Sequence, residues 1–312
     1  MSLSYIGQQC IIYCGSVFLI GGLIGNTINI LIFSKVRKYR QTPCTFYFLV
    51  ASIANLIYIS FNFTTRIYGN IIGYDLSNLS ITWCKTRQFL IVAFSMITLT
   101  NSCLAAIDQF LATSKHVRFR RLSNMKWTYR LVTFVILLWF LHAIPCLIFY
   151  NVPSSTKKCA ITHPIYAVYN RIYLLGLICL MPIIVTTIFG CLTYYNIRTT
   201  RGLAGQHVDR QLVRMTLLQV FLIVLSLAPY GLLSIYSLIT ENFVKDSNRL
   251  AQESFVLTIF TLMTYSYYSG NCYMFWFSSS QFRRRVKRAI LLWRTNHQIV
   301  PSDIRGSKIV TR

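Results

Sequence analysis

Acidic side chains are scarce in this sequence: Asp and Glu together number 7 in 312 residues, and all charged residues together make up 12%. Soluble domains carry about a quarter charged residues, so water is excluded as the solvent for most of this chain. The shortage also removes the material for catalysis. No pair of carboxylates lies within a helical stretch, no nucleophile motif occurs, and the five histidines (His116, His142, His163, His207 and His297) are scattered without metal-ligand spacing. Neither an enzyme nor a bound cofactor or metal is expected. The N-terminus lacks a basic segment and a small-residue cleavage site, so its apolar run reads as a retained helix. No internal repeat is visible, which speaks against the repeat-built transporter folds.

What the chain has is apolar length. Hydrophobic residues make up 54% of it, and seven stretches reach the roughly 20 residues with which a helix crosses a hydrocarbon core while satisfying its own backbone. They run from Ile11 to Ser34, Cys44 to Tyr68, Cys84 to Ser114, Tyr129 to Tyr150, Tyr169 to Asn196, Leu212 to Ile239 and Ser254 to Ser278. The expectation is an all-α, seven-transmembrane helix bundle. Residues 1–10 form an extracellular N-terminus, 11–293 the membrane domain and 294–312 a disordered cytoplasmic tail. Within 281–293, Phe282, Val286, Ala289, Ile290 and Trp293 recur at three or four residues with Arg and Lys between them. That pattern predicts a short amphipathic eighth helix on the anionic inner leaflet.

The formal net charge of +24 acquires meaning only from its location. Twenty-three of the 31 Lys and Arg fall on one side of the membrane: Lys35 to Arg40, Lys115 to Arg130, Arg198 to Arg214, and Arg283 onward. Asp75, Glu241, Asp246 and Glu253 fall on the other. Short loops rich in Lys and Arg stay in the cytoplasm, which predicts a multi-pass plasma-membrane protein with its N-terminus extracellular and its C-terminus cytoplasmic. The partner that this charge meets is the lipid bilayer, not nucleic acid.

Three marks carry a resemblance. Gly25-Asn26 in the first span is followed after the loop by Thr42-Pro43-Cys44, opening the second. Trp83-Cys84 begins a third span that reaches Asp108-Gln109-Phe110. Asn271-Cys272-Tyr273-Met274-Phe275 leads in register into Phe282-Arg283-Arg284. Together these resemble the rhodopsin-like (class A) G-protein-coupled receptors over about residues 11 to 293. The resemblance implies a receptor that carries the signal of an extracellular ligand, a peptide or small molecule, to a heterotrimeric G protein by helix rearrangement. Cys84 and Cys159, both at the outer face where oxidation is permitted, are then expected to pin the second outer loop to the third helix. Asn78-Leu79-Ser80 is a glycosylation sequon on an outer loop, whereas Asn62-Phe63-Thr64 falls inside the second helix and is expected to be unusable.

Departures from the family pattern cluster in its switch. Asn55 stands where the family has an Asp that holds sodium, and an amide lacks the charge a cation needs. Gln109 replaces the Arg beside Asp108, which is left to accept from Gln109, Arg118 or a backbone donor. Leu227-Ala228-Pro229 keeps a proline but loses the switching Trp, and Cys272 and Phe275 replace a Pro and a Tyr after Asn271. Activation is then expected to use Asn26, Asn55, Asp108, Gln109, Leu227, Pro229, Asn271 and Phe275 with apolar repacking. Arg198, Arg201, Arg210 and Arg214 would frame the cytoplasmic opening. The alternative is a receptor-like membrane protein that has lost G-protein coupling, with a channel or transporter weaker still.

Ligand chemistry is read from the outer third. Ile91 occupies the position of the aminergic Asp, and Tyr265 that of the retinal-bearing Lys, so neither an amine nor a covalent retinal is expected. Arg66, Arg87 and Arg171 supply positive charge that is costly at this depth unless paired or hydrated; snorkelling to the interface is the bland explanation. With Tyr230, these residues predict a pocket for an acidic ligand, a peptide also reaching the stretch from Glu241 to Glu253.

Overall fold

The structure, a computed structural model, describes residues 3–35, 41–154, 157–199, 207–240 and 243–298. Arg37, Lys38, Arg40, Arg201, Glu241, the side chain of Arg210 and the tail beyond 298 lie outside the described residues. Seven long helices form the bundle: α1 (Leu3–Lys35), α2 (Pro43–Ile72), α3 (Ile81–Thr113), α4 (Met125–Phe149), α5 (Pro164–Thr199), α6 (His207–Ile239) and α7 (Ser247–Ser278). A shorter α8 (Ser280–Gln298) follows. Between α4 and α5 a two-stranded hairpin pairs Tyr150 with Ile161 and Asn151 with Ala160.

Local chemistry sets the ends. Pro43 and Pro164 open α2 and α5, at first-turn positions where a missing N–H costs nothing. The side chains of Ser80 and Asn124 accept from the backbone N–H groups of Trp83 and Trp127 and so cap α3 and α4. Gly73, at φ +75°, ends α2 in the left-handed conformation that lets its N–H return to the Gly69 carbonyl. Two helices contain a widened π turn. In α5 it spans Leu174–Leu180, just ahead of Pro182, whose missing N–H releases a carbonyl of the preceding turn. In α2 it spans Ile59–Phe63, without a proline to account for it.

Six of the long helices are apolar enough to cross a membrane by length and composition alone; α7 is long enough but more polar. Its polar groups are spent inside the protein. Thr258 and Thr261 return their hydroxyls to carbonyls one turn back, Ser266 donates to the Met263 carbonyl, and the Tyr268 carbonyl accepts from Asn26. Close approach of α1 to α7 depends on two glycines. A Cβ at Gly22 would lie 2.8 Å from both Ile59 and Ser269, and one at Gly25 2.9 Å from Cys272. Membrane helices pack through such small residues because lipid offers no hydrophobic drive for their association.

At the α8 end, Phe275 is buried against Phe48 (4.8 Å between centroids), Phe33 (5.7 Å) and Phe282 (6.1 Å), with Leu212, Met215 and Val286 in the same cluster. Ser279 splices α7 to α8. Its Oγ accepts from the N–H of Phe282 at 3.1 Å and donates to Gln211 Oε1 on α6 at 2.8 Å. Helix α1 begins at Leu3, two turns ahead of the expected Ile11, and α8 continues to Gln298, past the expected boundary at 293. The extra α1 turns are polar, with Ser4 and Gln8, because they wall a cavity rather than face lipid.

Candidate functional site

At the bundle end opposite α8, Cys84 in the first turn of α3 is joined to Cys159 of the hairpin, with Cα atoms 5.7 Å apart. Beside this staple lies a cavity of about 640 Å³ between α1, α2, α3 and α7, walled largely by polar side chains such as Gln8, Asn70, Asp75 and Thr258. Arg66 and Arg87 both line it. Arg87 is 9% exposed; its Nη1 donates to Ser77 Oγ at 2.7 Å and its Nη2 to Asn62 Oδ1 at 3.1 Å, with Asp75 Oδ1 4.0 Å away. Arg66 is half-buried. Its guanidinium carbon stands 5.8 Å above the Tyr265 ring and its Nη1 lies 3.5 Å from the Tyr265 hydroxyl. Tyr265 in turn accepts from Asn62 Nδ2 at 3.0 Å and stacks on Phe63 at 4.0 Å.

Asn62 is therefore the node that ties Arg87 to Tyr265, which Arg66 meets directly, and sequence reading saw in it only a buried sequon. The π turn explains why it points inward: one extra residue per turn re-aims side chains relative to a regular helix. The one available signal was an amide in the middle of an apolar run.

Arg171 and Tyr230 lie elsewhere. They border a second cavity of about 320 Å³ between α5, α6 and α7, whose other walls include Leu174, Leu233, Leu238 and Leu257. The two cavities share α7 as a wall, with Ser254 and Thr258 on the first and Leu257 on the second, and the buried Tyr265 lines neither. Ile91 lines neither and packs against the apolar cluster of Leu99, Leu227 and Leu262. Glu253 is already engaged. Lys245 Nζ is 2.6 Å and Arg249 Nε 3.2 Å from its carboxylate, and the Tyr236 hydroxyl donates to it at 2.9 Å. These bonds tie α6 to α7, so Glu253 serves the fold and has little left for a ligand.

The expected switch residues are buried but not all joined. Asn55 Nδ2 donates to Asn26 Oδ1 at 3.4 Å, and Asn26 Nδ2 to the carbonyls of Gly22 and Tyr268. These neutral amides do not fit a cation, which requires a carboxylate to offset its desolvation. Asp108 accepts from Ser123 Oγ at 2.6 Å, which the short helix Val117–Leu122 brings back beneath α3, and of the three expected donors it is a backbone N–H, that of Cys44, that reaches it rather than Gln109 or Arg118. Gln109 and Leu227 are buried, Pro229 lies inside α6, and Asn271 is buried with its Oδ1 unpartnered among the described residues.

A second node was not legible in the sequence. Ser102 Oγ on α3 lies 2.6 Å from the Tyr267 hydroxyl on α7 and accepts from Gln219 Nε2 on α6 at 2.7 Å. One hydroxyl thus holds three helices together. Ser102→Ala is expected to lower stability by about 2–6 kcal/mol, because it orphans two buried donors at once. Gln219→Leu is expected to be nearly neutral, since it removes a polar group and leaves the Ser102–Tyr267 bond intact. Thermal unfolding of the two purified variants checks the pair; equal melting temperatures would show that Ser102 is no hub.

Compared with known families, residues 25–274 match the family described as "7 transmembrane receptor (rhodopsin family)". No curated protein gives a significant match to the chain.

Proposed function

From the premise that this chain belongs to the rhodopsin family of seven-transmembrane receptors, we propose that it relays an extracellular acidic ligand, a peptide or small carboxylate, to a cytoplasmic G protein. The observation that carries this reading is the pair Arg66 and Arg87 in one polar cavity. Two guanidiniums and one partly exposed Asp75 leave that cavity net positive, and the fork of an Arg matches a carboxylate. The disulfide supports an outward orientation for this end, because disulfides persist in oxidising surroundings. The basic residues at the α8 end support the same orientation. Asn78, half-buried beside the staple with its Oδ1 accepting from the Cys159 N–H, is the proposed glycan acceptor, through its free amide nitrogen.

Signalling then proceeds by population shift. A ligand that binds one helix arrangement more tightly favours the parting of α5 and α6 at their cytoplasmic ends. That motion breaks the Gln211–Ser279 bond and lifts Leu212 and Met215 from the Phe275 cluster. Exposed Arg198 and Arg214 flank the opening. The buried neutral Gln109 favours a second reading, a receptor-like protein without G-protein coupling.

G-protein dissociation measured across all subtypes, in cells expressing the chain and exposed to peptide and carboxylate panels, separates the two. The expected result is acid-dependent dissociation of at least one subtype. Glycosidase treatment of the same cells is expected to shift the wild type but not Asn78→Gln. Silence across every panel, with the glycosylated protein at the surface, would leave only the uncoupled reading.

A further inference from the structure

The two cavities differ in chemistry, and that difference bears on which acids the site accepts. The chamber of Arg66 and Arg87 is walled mainly by hydroxyls, amides and charges, whereas the chamber under Tyr230 takes half of its wall from Leu174, Leu233, Leu238 and Leu257. Neither suffices for an ordinary acidic ligand with a hydrocarbon body. The first chamber offers an anion its hydrogen bonds but little apolar surface, and the second offers apolar surface beside a single cation, exposed Arg171. They share α7 as a wall, with Ser254, Phe255 and Thr258 in the first and Leu257 in the second. Ser254, Leu257 and Thr258 fall within little more than one helical turn, so the two chambers adjoin across this part of α7.

Resting on the proposed reading of Arg66 and Arg87 as the acid-binding pair, we infer that the ligand is an amphiphilic carboxylate. Its acid group lies in the polar chamber and its hydrocarbon or aromatic body passes over the turn of α7 from Ser254 to Thr258 into the leucine-walled chamber. A small hydrophilic acid fills only half of this site. A purely apolar compound would leave the guanidiniums without an anion and gains entry only to the smaller chamber. Selectivity then resides in the distance between acid and apolar body as much as in either group alone.

The probes are ω-phenylalkanoic acids with one to five methylenes, each paired with its primary amide, and the readout is ligand-dependent thermal stabilisation of the purified full chain, which does not require coupling. Affinity is expected to rise about four-fold with each methylene that enters the leucine chamber and to vanish in every amide. Leu257→Asn is expected to flatten that dependence, and Ser237→Phe, which fills the chamber mouth, to shorten the longest acid accepted. These two positions are exposed at the rim, so the variants test length selection without disturbing the packed interior. Binding that needs the acid but ignores chain length overturns the amphiphile while leaving the acid-binding pair standing. Binding that follows chain length but is equal for acids and amides, or persists in Arg66→Met, Arg87→Met, overturns the pair itself. Binding of none of the acids overturns the inference.

Discussion

Arg87→Met is expected to weaken an acidic ligand roughly 10- to 150-fold, the loss of one charge-assisted hydrogen bond, and to lower the stability of the unliganded receptor as well. The two losses have separate origins. The first comes from the cavity, where the guanidinium faces incoming anions. The second comes from Asn62 Oδ1 and Ser77 Oγ, two buried acceptors that lose their donor, and orphaned groups of this kind cost about 1–3 kcal/mol each. The Asp75 contact adds little, because at 4.0 Å and with Asp75 more than half exposed it is screened by solvent. A fall of about 2–6 kcal/mol is therefore expected. Arg66→Met is expected to show the first loss with little of the second, since its side-chain hydrogen bond to Tyr265 is long at 3.5 Å. Arg87→Lys does not restore the wild type, as an ammonium cannot span Ser77 and Asn62 as the fork does. Concentration-response curves and melting temperatures on the same three variants make the comparison. Equal stability of Arg87→Met and wild type would mean that the Asn62 node carries no load.

Breaking the Cys84–Cys159 bond is expected to cost about 3 kcal/mol, the value for a loop of about 15 residues rather than for the 75-residue separation of the two cysteines. The smaller figure applies because α3 and α4 lie within that separation and remain held by the membrane when tertiary contacts are lost. Only the stretch between Phe149 and Pro164 gains freedom. Hydrogen exchange at residues 150–161 is expected to accelerate in Cys159→Ser while the spans stay protected. The double variant Cys84→Ser, Cys159→Ser is expected to be no worse than either single one, because all three lose the same bond. Additive destabilisation would show that each thiol has a packing role of its own.

The large elements were legible because their causes are local. Runs of apolar residues specify the spans, the Thr42-Pro43 pair specifies the start of α2, and Cys84 and Cys159, placed at the same end of the bundle, specify the staple, whereas the caps at Ser80 and Asn124 went unread and α3, α4 and α5 begin ahead of the expected Cys84, Tyr129 and Tyr169. Depth alone grouped Arg66, Arg87 and Arg171 in one expected pocket, of which the structure places only the first two on the same cavity. What escaped is whatever depends on three helices at once. Ser102, Gln219 and Tyr267 are unremarkable singly and become a node only when α3, α6 and α7 pack. Arg171 shares the depth of the other two arginines but stands across the bundle from them, a separation that periodicity along one helix does not report. Glu253 is claimed by Lys245, Arg249 and Tyr236 because a short loop folds back, again beyond the reach of pattern.

The π turn of α2 has a consequence for how this receptor's preference is written. Each residue advances an α-helix by about 100° around its axis, so the extra residue within Ile59–Phe63 sets the facing of everything beyond it, Arg66, Gly69 and Asn70 included. A helix one residue shorter, with every letter otherwise the same, presents those groups about a quarter-turn or more away from α1 and α7. The charge that greets a ligand is thus stored as a count of residues as well as in their identity, and a length change in this one helix can alter what is recognised without replacing a single contact residue.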